Sequence, residues 1–135
     1  MAHVLKKILV VDDDPIIRQT LRVLLRDAGF EVVGEAGDGI KAMEILESQK
    51  VGVVLLDIDM PGSSGLDVLC EIHEAYPSIE VVMLSGNANV EDVKTAKERG
   101  AAGYIVKPFN VNNVIQNINR AIQLAVEKVK GAKSE

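Results

Sequence analysis

The sequence predicts an α/β domain in which five parallel strands form one sheet with helices on both faces. Three observations carry that prediction. Apolar, β-branched runs alternate five times with stretches whose apolar residues recur at helical spacing. The runs end in turn residues, Gly, Pro, Asp or Asn. The central run, Val53-Val54-Leu55-Leu56, lacks polar alternation and passes straight into Asp57, as a strand buried on both faces does. Strand and helix in strict alternation make a doubly wound (βα)5 unit joined by right-handed crossovers.

Lys6 to Val11 is the first strand, ending in Asp12-Asp13-Asp14-Pro15. Pro15 suits the first position of a helix and Asp14 suits its N-cap. That helix carries Ile17, Leu21, Leu24, Leu25 and Ala28 on one face and stops at Gly29. Val32, Val33 and Ala36 mark a shorter second strand. After the turn Gly37-Asp38-Gly39, residues Ala42, Met43 and Leu46 form the stripe of a second helix. The central strand, 53–57, comes third. Beyond Pro61-Gly62-Ser63-Ser64-Gly65, a third helix carries Leu66, Leu69 and Ile72 and ends near Tyr76-Pro77.

Residues 80–84 are the fourth strand, running into Ser85-Gly86-Asn87. The fourth helix, over 89–99, has a thin stripe of Val90, Val93 and Ala96. Tyr104-Ile105-Val106 is a short fifth strand closed by Lys107-Pro108. The last helix bears Val111, Val114, Ile115, Ile118, Ile122, Ala125 and Val129 on one face and is expected to reach about residue 128. One domain is expected over 1–127, with 128–135 a frayed tail or the start of a linker.

A chain of 135 residues with 47% apolar content can bury a full core. Its net charge of -5 and pI near 5.1 give no nucleic-acid footprint. The apolar runs are too short for a membrane span, and the first residues lack a signal-peptide core, so a cytoplasmic location is expected. One cysteine, Cys70, excludes an intrachain disulfide; it falls beside the stripe of its helix with nothing to activate it. His3 and His73 read as solvated bystanders, and Met43, Met60 and Met83 as core filler.

In such a sheet the carboxyl ends of strands 1, 3, 4 and 5 share one rim, where open α/β sheets keep their ligand crevice. That brings together Asp12, Asp13, Asp57, Ser85 and Lys107. Three carboxylates repel one another unless a cation sits between them. Hard oxygen donors suit Mg²⁺ (or Mn²⁺), which keeps several waters and bridges to phosphate. A carboxylate beside such an ion is a nucleophile toward a phosphoryl donor, with a lysine and a hydroxyl placed for the equatorial oxygens. Pro61 and Gly62 already supply the turn after strand 3, so Asp57 is not needed as a turn former. Asp14, Asp38 and Asp67 read as N-caps or turn formers.

Four stretches, Ile8–Pro15, Leu55–Gly62, Met83–Gly86 and Gly100–Phe109, each lie at the end of a predicted strand. Through them the chain resembles the receiver domain of two-component response regulators, of the single-domain chemotaxis type, over about residues 5–126. The resemblance implies a flavodoxin-like fold with strand order 2-1-3-4-5. It implies that Asp57 is the phosphoacceptor, Asp13 the direct Mg²⁺ ligand, Asp12 a ligand mostly through water, and the Asp59 backbone carbonyl a third contact. Ser85 and Lys107 take the family's hydroxyl and lysine places, and Tyr104 its aromatic switch place, with Gly86 leaving room for the ring. Asp59 and Asn87 fall where the family tunes dephosphorylation, and Lys107–Pro108 is a candidate cis bond.

The same resemblance implies a sensor histidine kinase or histidine phosphotransfer domain upstream. It implies a downstream protein or fused output domain, and a switching surface of helix 4, strand 5 and helix 5. Three other readings compete. A haloacid-dehalogenase-like phosphatase would explain Asp57-Ile58-Asp59, but it carries that motif on its first strand. A flavodoxin-like cofactor binder needs a phosphate loop where this chain has Asp12-Asp13-Asp14. A pseudo-receiver would not need all five site positions filled.

Overall fold

The computed structural model describes residues 4–87 and 89–134, and the side chains of 132–134 fall outside that description, as does His3. A short 3-10 turn, Val4–Lys6, leads into β1 (Lys7–Val11), followed by α1 (Pro15–Asp27), β2 (Glu31–Ala36) and α2 (Gly39–Ser48). Then come β3 (Val53–Asp57), α3 (Gly65–Ala75), β4 (Glu80–Ser85), α4 (Val90–Glu98), β5 (Gly103–Val106) and α5 (Val111–Ser134). A two-residue antiparallel pairing, Asp59–Met60 with Ser63–Ser64, folds the β3–α3 connection into a small hairpin. Gly62 turns that hairpin at φ +78°, which only glycine adopts freely.

The sheet is parallel throughout, in the order β2-β1-β3-β4-β5. Both faces are covered, so β1, β3 and β4 are almost wholly buried. Alternate residues serve opposite layers. Ile8, Val10, Val53, Leu55, Val82 and Leu84 meet Leu21 and Leu25 of α1 and Val114, Ile118 and Ala121 of α5. Leu9, Val11, Val54, Leu56 and Met83 meet Ala42 and Leu46 of α2, Leu69 and Ile72 of α3 and Ala96 of α4. Each fully buried leucine or isoleucine contributes about 1.5–3 kcal/mol of apolar burial.

Several local expectations need correction. Helix α5 continues past residue 128 to Ser134, because Lys, Val and Ala sustain helix and Gly131 alone does not end it. Its buried residues are Val114, Ile118, Ala121 and Ala125, while Val111 and Val129 are exposed. The expected stripe averages 3.6 residues per turn and stays on one face, so Val111 and Val129 are exposed by their place at the two ends of the helix and not by their angle around it. Ala28 is likewise exposed at the end of α1. On α4 the thin stripe is thinner still, since Ala96 is buried and Val90 is 80% exposed.

Asp67 does not cap α3. Ser64 does, its hydroxyl accepting from the Leu66 amide, and Asp67 pairs instead with Arg99, the C-cap of α4, at 3.1 Å. Asp14 and Asp38 do cap, accepting from the amides of Ile16 and Lys41. Met60 and Met83 are buried and Met43 partly so; Cys70 is half-buried and His73 exposed. Among the described residues, no helix is long and apolar enough to cross a membrane.

Candidate functional site

The ends of β1, β3, β4 and β5 converge, and Asp12, Asp13, Asp57, Ser85 and Lys107 meet there. Asp57 closes β3 with 2% of its surface exposed, because the strand register carries its carboxylate to the edge of the core. One carboxylate oxygen accepts from the Asp59 amide at 3.2 Å, and the other lies 3.4 Å from Lys107 Nζ. Asp12 is fully buried; one oxygen accepts from the Asp14 amide at 2.9 Å and the other pairs with Lys107 Nζ at 2.6 Å. Asp13 is exposed at the mouth. Ligand oxygens of Asp12, Asp13 and Asp57 lie within 4.8 Å of one another.

One lysine therefore serves two buried carboxylates, with a third at the mouth. Burial and the Asp12 charge push the Asp57 carboxyl up to about 6, although Lys107 and the Asp59 amide pull the other way. Burial draws the Lys107 ammonium down, but its contacts with Asp12 and Asp57 outweigh this and hold it above its ordinary value. The surplus of buried negative charge and the all-oxygen donor set fit a hard divalent cation such as Mg²⁺.

Ser85 is buried at the end of β4, and its hydroxyl accepts from the Asn87 amide at 3.2 Å. Asn87 then serves three neighbours. Its carbonyl accepts from the Tyr104 hydroxyl at 3.3 Å, and its side chain accepts from the Asn89 amide at 2.9 Å. Asn89 in turn caps α4, accepting from Glu91 and Asp92. The Tyr104 ring packs half-buried against the α2–α3–α4 layer, and a Cβ at Gly86 would meet nothing within 4 Å. The side chain of Asp59 is exposed on the hairpin, and the Lys107–Pro108 bond is cis.

Three supporting residues escaped the sequence reading. Arg18 of α1 donates to the Asp12 carbonyl at 2.6 Å and pairs with Glu35 at 3.3 Å. A Cβ on Gly65 would collide with the Asp57 carbonyl oxygen, so glycine there lets α3 start directly behind Asp57. Asn89 had only its place before a helix to signal a cap.

The family model of the response regulator receiver domain matches residues 8–119. The chain belongs to that family. The transcriptional regulatory protein PdtaR of Mycobacterium tuberculosis is 36% identical over 129 residues, 96% of this chain; the chain spans 60% of that relative's length. The chemotaxis protein CheY of Listeria monocytogenes is 36% identical over 115 residues, covering 85% of this chain and 97% of that one. A CheY-like receiver domain protein from Methanospirillum hungatei has the same fold, with a TM-score of 0.83 at 26% identity over 90% of this chain and 97% of its own. The family match is to the receiver domain and not to the phosphatase or the flavodoxin-like cofactor binder, and the sheet order is the one expected for the receiver fold.

Proposed function

We propose that this chain is a working phosphoacceptor, taking a phosphoryl group onto Asp57 from a histidine kinase or histidine phosphotransfer domain. The observation that carries the reading is Lys107 Nζ lying 2.6 Å from Asp12 and 3.4 Å from Asp57 within a three-carboxylate pocket. The Asp57 carboxylate oxygen bonds to phosphorus as the donor's phosphorus–nitrogen bond breaks and the imidazole leaves. Asp12, Asp13 and Asp57, with the Asp59 carbonyl, would hold Mg²⁺ or Mn²⁺. When bound, the ion neutralises the charge that builds on the phosphoryl oxygens. Lys107 supplies the remaining positive charge, and the Ser85 hydroxyl donates its proton to a second oxygen.

The switch follows from the hydrogen bonds around Ser85. A Ser85 hydroxyl drawn toward the phosphoryl group takes the Asn87 amide with it, and Asn87 holds both Tyr104 and the cap of α4. Helix α4 anchors only Ala96 in the core, so it yields more readily than its neighbours. Phosphorylation thereby biases an existing equilibrium at the surface formed by α4, β5 and α5. Asp59 and Asn87 flank the acceptor and set how long the phosphoryl group survives. The output, a separate protein or a fused domain, reads that surface, and the chain works in the cytoplasm without direct contact to nucleic acid.

Intact mass after incubation with acetyl phosphate tests this reading. A single adduct that needs Mg²⁺, is cleaved by hydroxylamine and is absent from Asp57→Asn is the expected result. No adduct under any condition makes the chain a pseudo-receiver.

A further inference from the structure

The groove between α2 and α3 contains none of the residues of the Asp57 site. It has a volume of about 450 Å³, with Ile40, Met43 and Val68 as apolar lining and Glu44, Glu47 and Glu71 on the two helices. Neighbouring helices that share a groove are stabilised by opposite charges across it. Here both walls carry carboxylates, no lysine or arginine lines the groove, and none of the three glutamates forms an ion pair among the described residues. Glu47 also sits in the last turn of α2, which holds no basic residue to offset the negative end of the helix dipole. At the mouth, Ile40 leaves 80% of its surface in water. A glycine at 39 lets the start of α2 press onto Val68 of α3, which fixes the shape of the groove.

We infer that this α2–α3 groove docks a basic amphipathic segment of a partner protein, its apolar side chains on Ile40 and Met43 over a floor formed by buried Val68, and its lysines or arginines on Glu44, Glu47 and Glu71. Other occupants fit less well. No three groove acids gather as a metal-ligand set; among the described residues only Asp12, Asp13 and Asp57 do. An anionic ligand or anionic membrane meets like charge. A second copy carries a net charge of -5 and is repelled. The groove is bordered by Pro61, Gly62 and Ser63 of the hairpin that follows Asp57, so it adjoins the acceptor while leaving α4, β5 and α5 free.

Amide NMR shift mapping on the full chain tests this with three synthetic peptides: an amphipathic Lys/Leu helix, its Glu/Leu counterpart, and a Lys/Ser peptide of equal charge. The Lys/Leu peptide is expected to shift the amides of Ile40, Met43, Glu47, Val68 and Glu71 saturably. Glu44→Lys with Glu71→Lys weakens that binding by about tenfold or more. Ile40→Asn, at a site too exposed to affect folding, weakens it as well, and Lys97→Glu on α4 leaves it unchanged. No saturable shift overturns the proposal. So do shifts centred on the Asp57 rim, equal binding of the Lys/Ser or Glu/Leu peptide, or self-association through the groove in sedimentation.

Discussion

Two buried clusters of charge sit at opposite edges of the same sheet, and they are built on different balances. At the carboxyl edge, Lys107 pairs with buried Asp12 and Asp57, and exposed Asp13 stands beside those two carboxylates. At the amino edge, Glu80 opens β4 with 3% of its side chain exposed and meets a single cation, Lys128 of α5, at 2.7 Å. The lower pair is one to one and ties the end of α5 to the sheet. The upper cluster buries one carboxylate more than its lysine balances and adds Asp13 at its mouth, a surplus that a fold alone would not retain. Balanced charge holds structure; the unbalanced cluster is the one that the proposed function would complete with a divalent cation.

The contrast predicts opposite responses to removing a charge. Without divalent cation at pH 7, Asp57→Asn should stabilise the protein by up to about 3 kcal/mol. The wild-type carboxyl has its pKa raised from 3.8 to about 6. The folded state therefore holds a proton that the unfolded state has already lost. Wild-type stability falls as pH rises through that window, and the asparagine variant escapes the loss. The advantage should vanish below the lower pKa and level off above the upper one, as thermal unfolding across pH will read. At the other edge the sign reverses. Lys128→Met strands the Glu80 carboxylate and should cost about 2 kcal/mol, and adding Glu80→Gln should recover most of it. Urea unfolding of the two variants measures this; equal losses in both would show that Lys128 acts through packing alone.

The upper cluster was legible in the sequence because each of its members ends an apolar run, and parallel topology sends those ends to one rim. The lower pair was not. Glu80 looks like a polar flank before Val81, and its burial depends on how far α5 drapes across the bottom of the sheet. That length was itself misjudged, since Lys128-Val129-Lys130 has the composition of a tail and the conformation of a helix. Ser64 in place of Asp67 as the α3 cap is a register of three residues that composition does not resolve. Arg18 was invisible for another reason: it serves the Asp12 backbone, and no side-chain pattern announces a bond to a carbonyl. Val111 and Val129 show the limit of periodicity, which orders a stripe and leaves open where the core ends.

The most direct test of the account is the melting temperature of wild type and Asp57→Asn as Mg²⁺ is titrated at neutral pH. Mg²⁺ should raise the wild-type midpoint in proportion to the logarithm of its excess over the dissociation constant and move the variant far less. Equal shifts in both proteins, or none in either, would contradict the claim that the carboxylate surplus around Asp57 is a cation site.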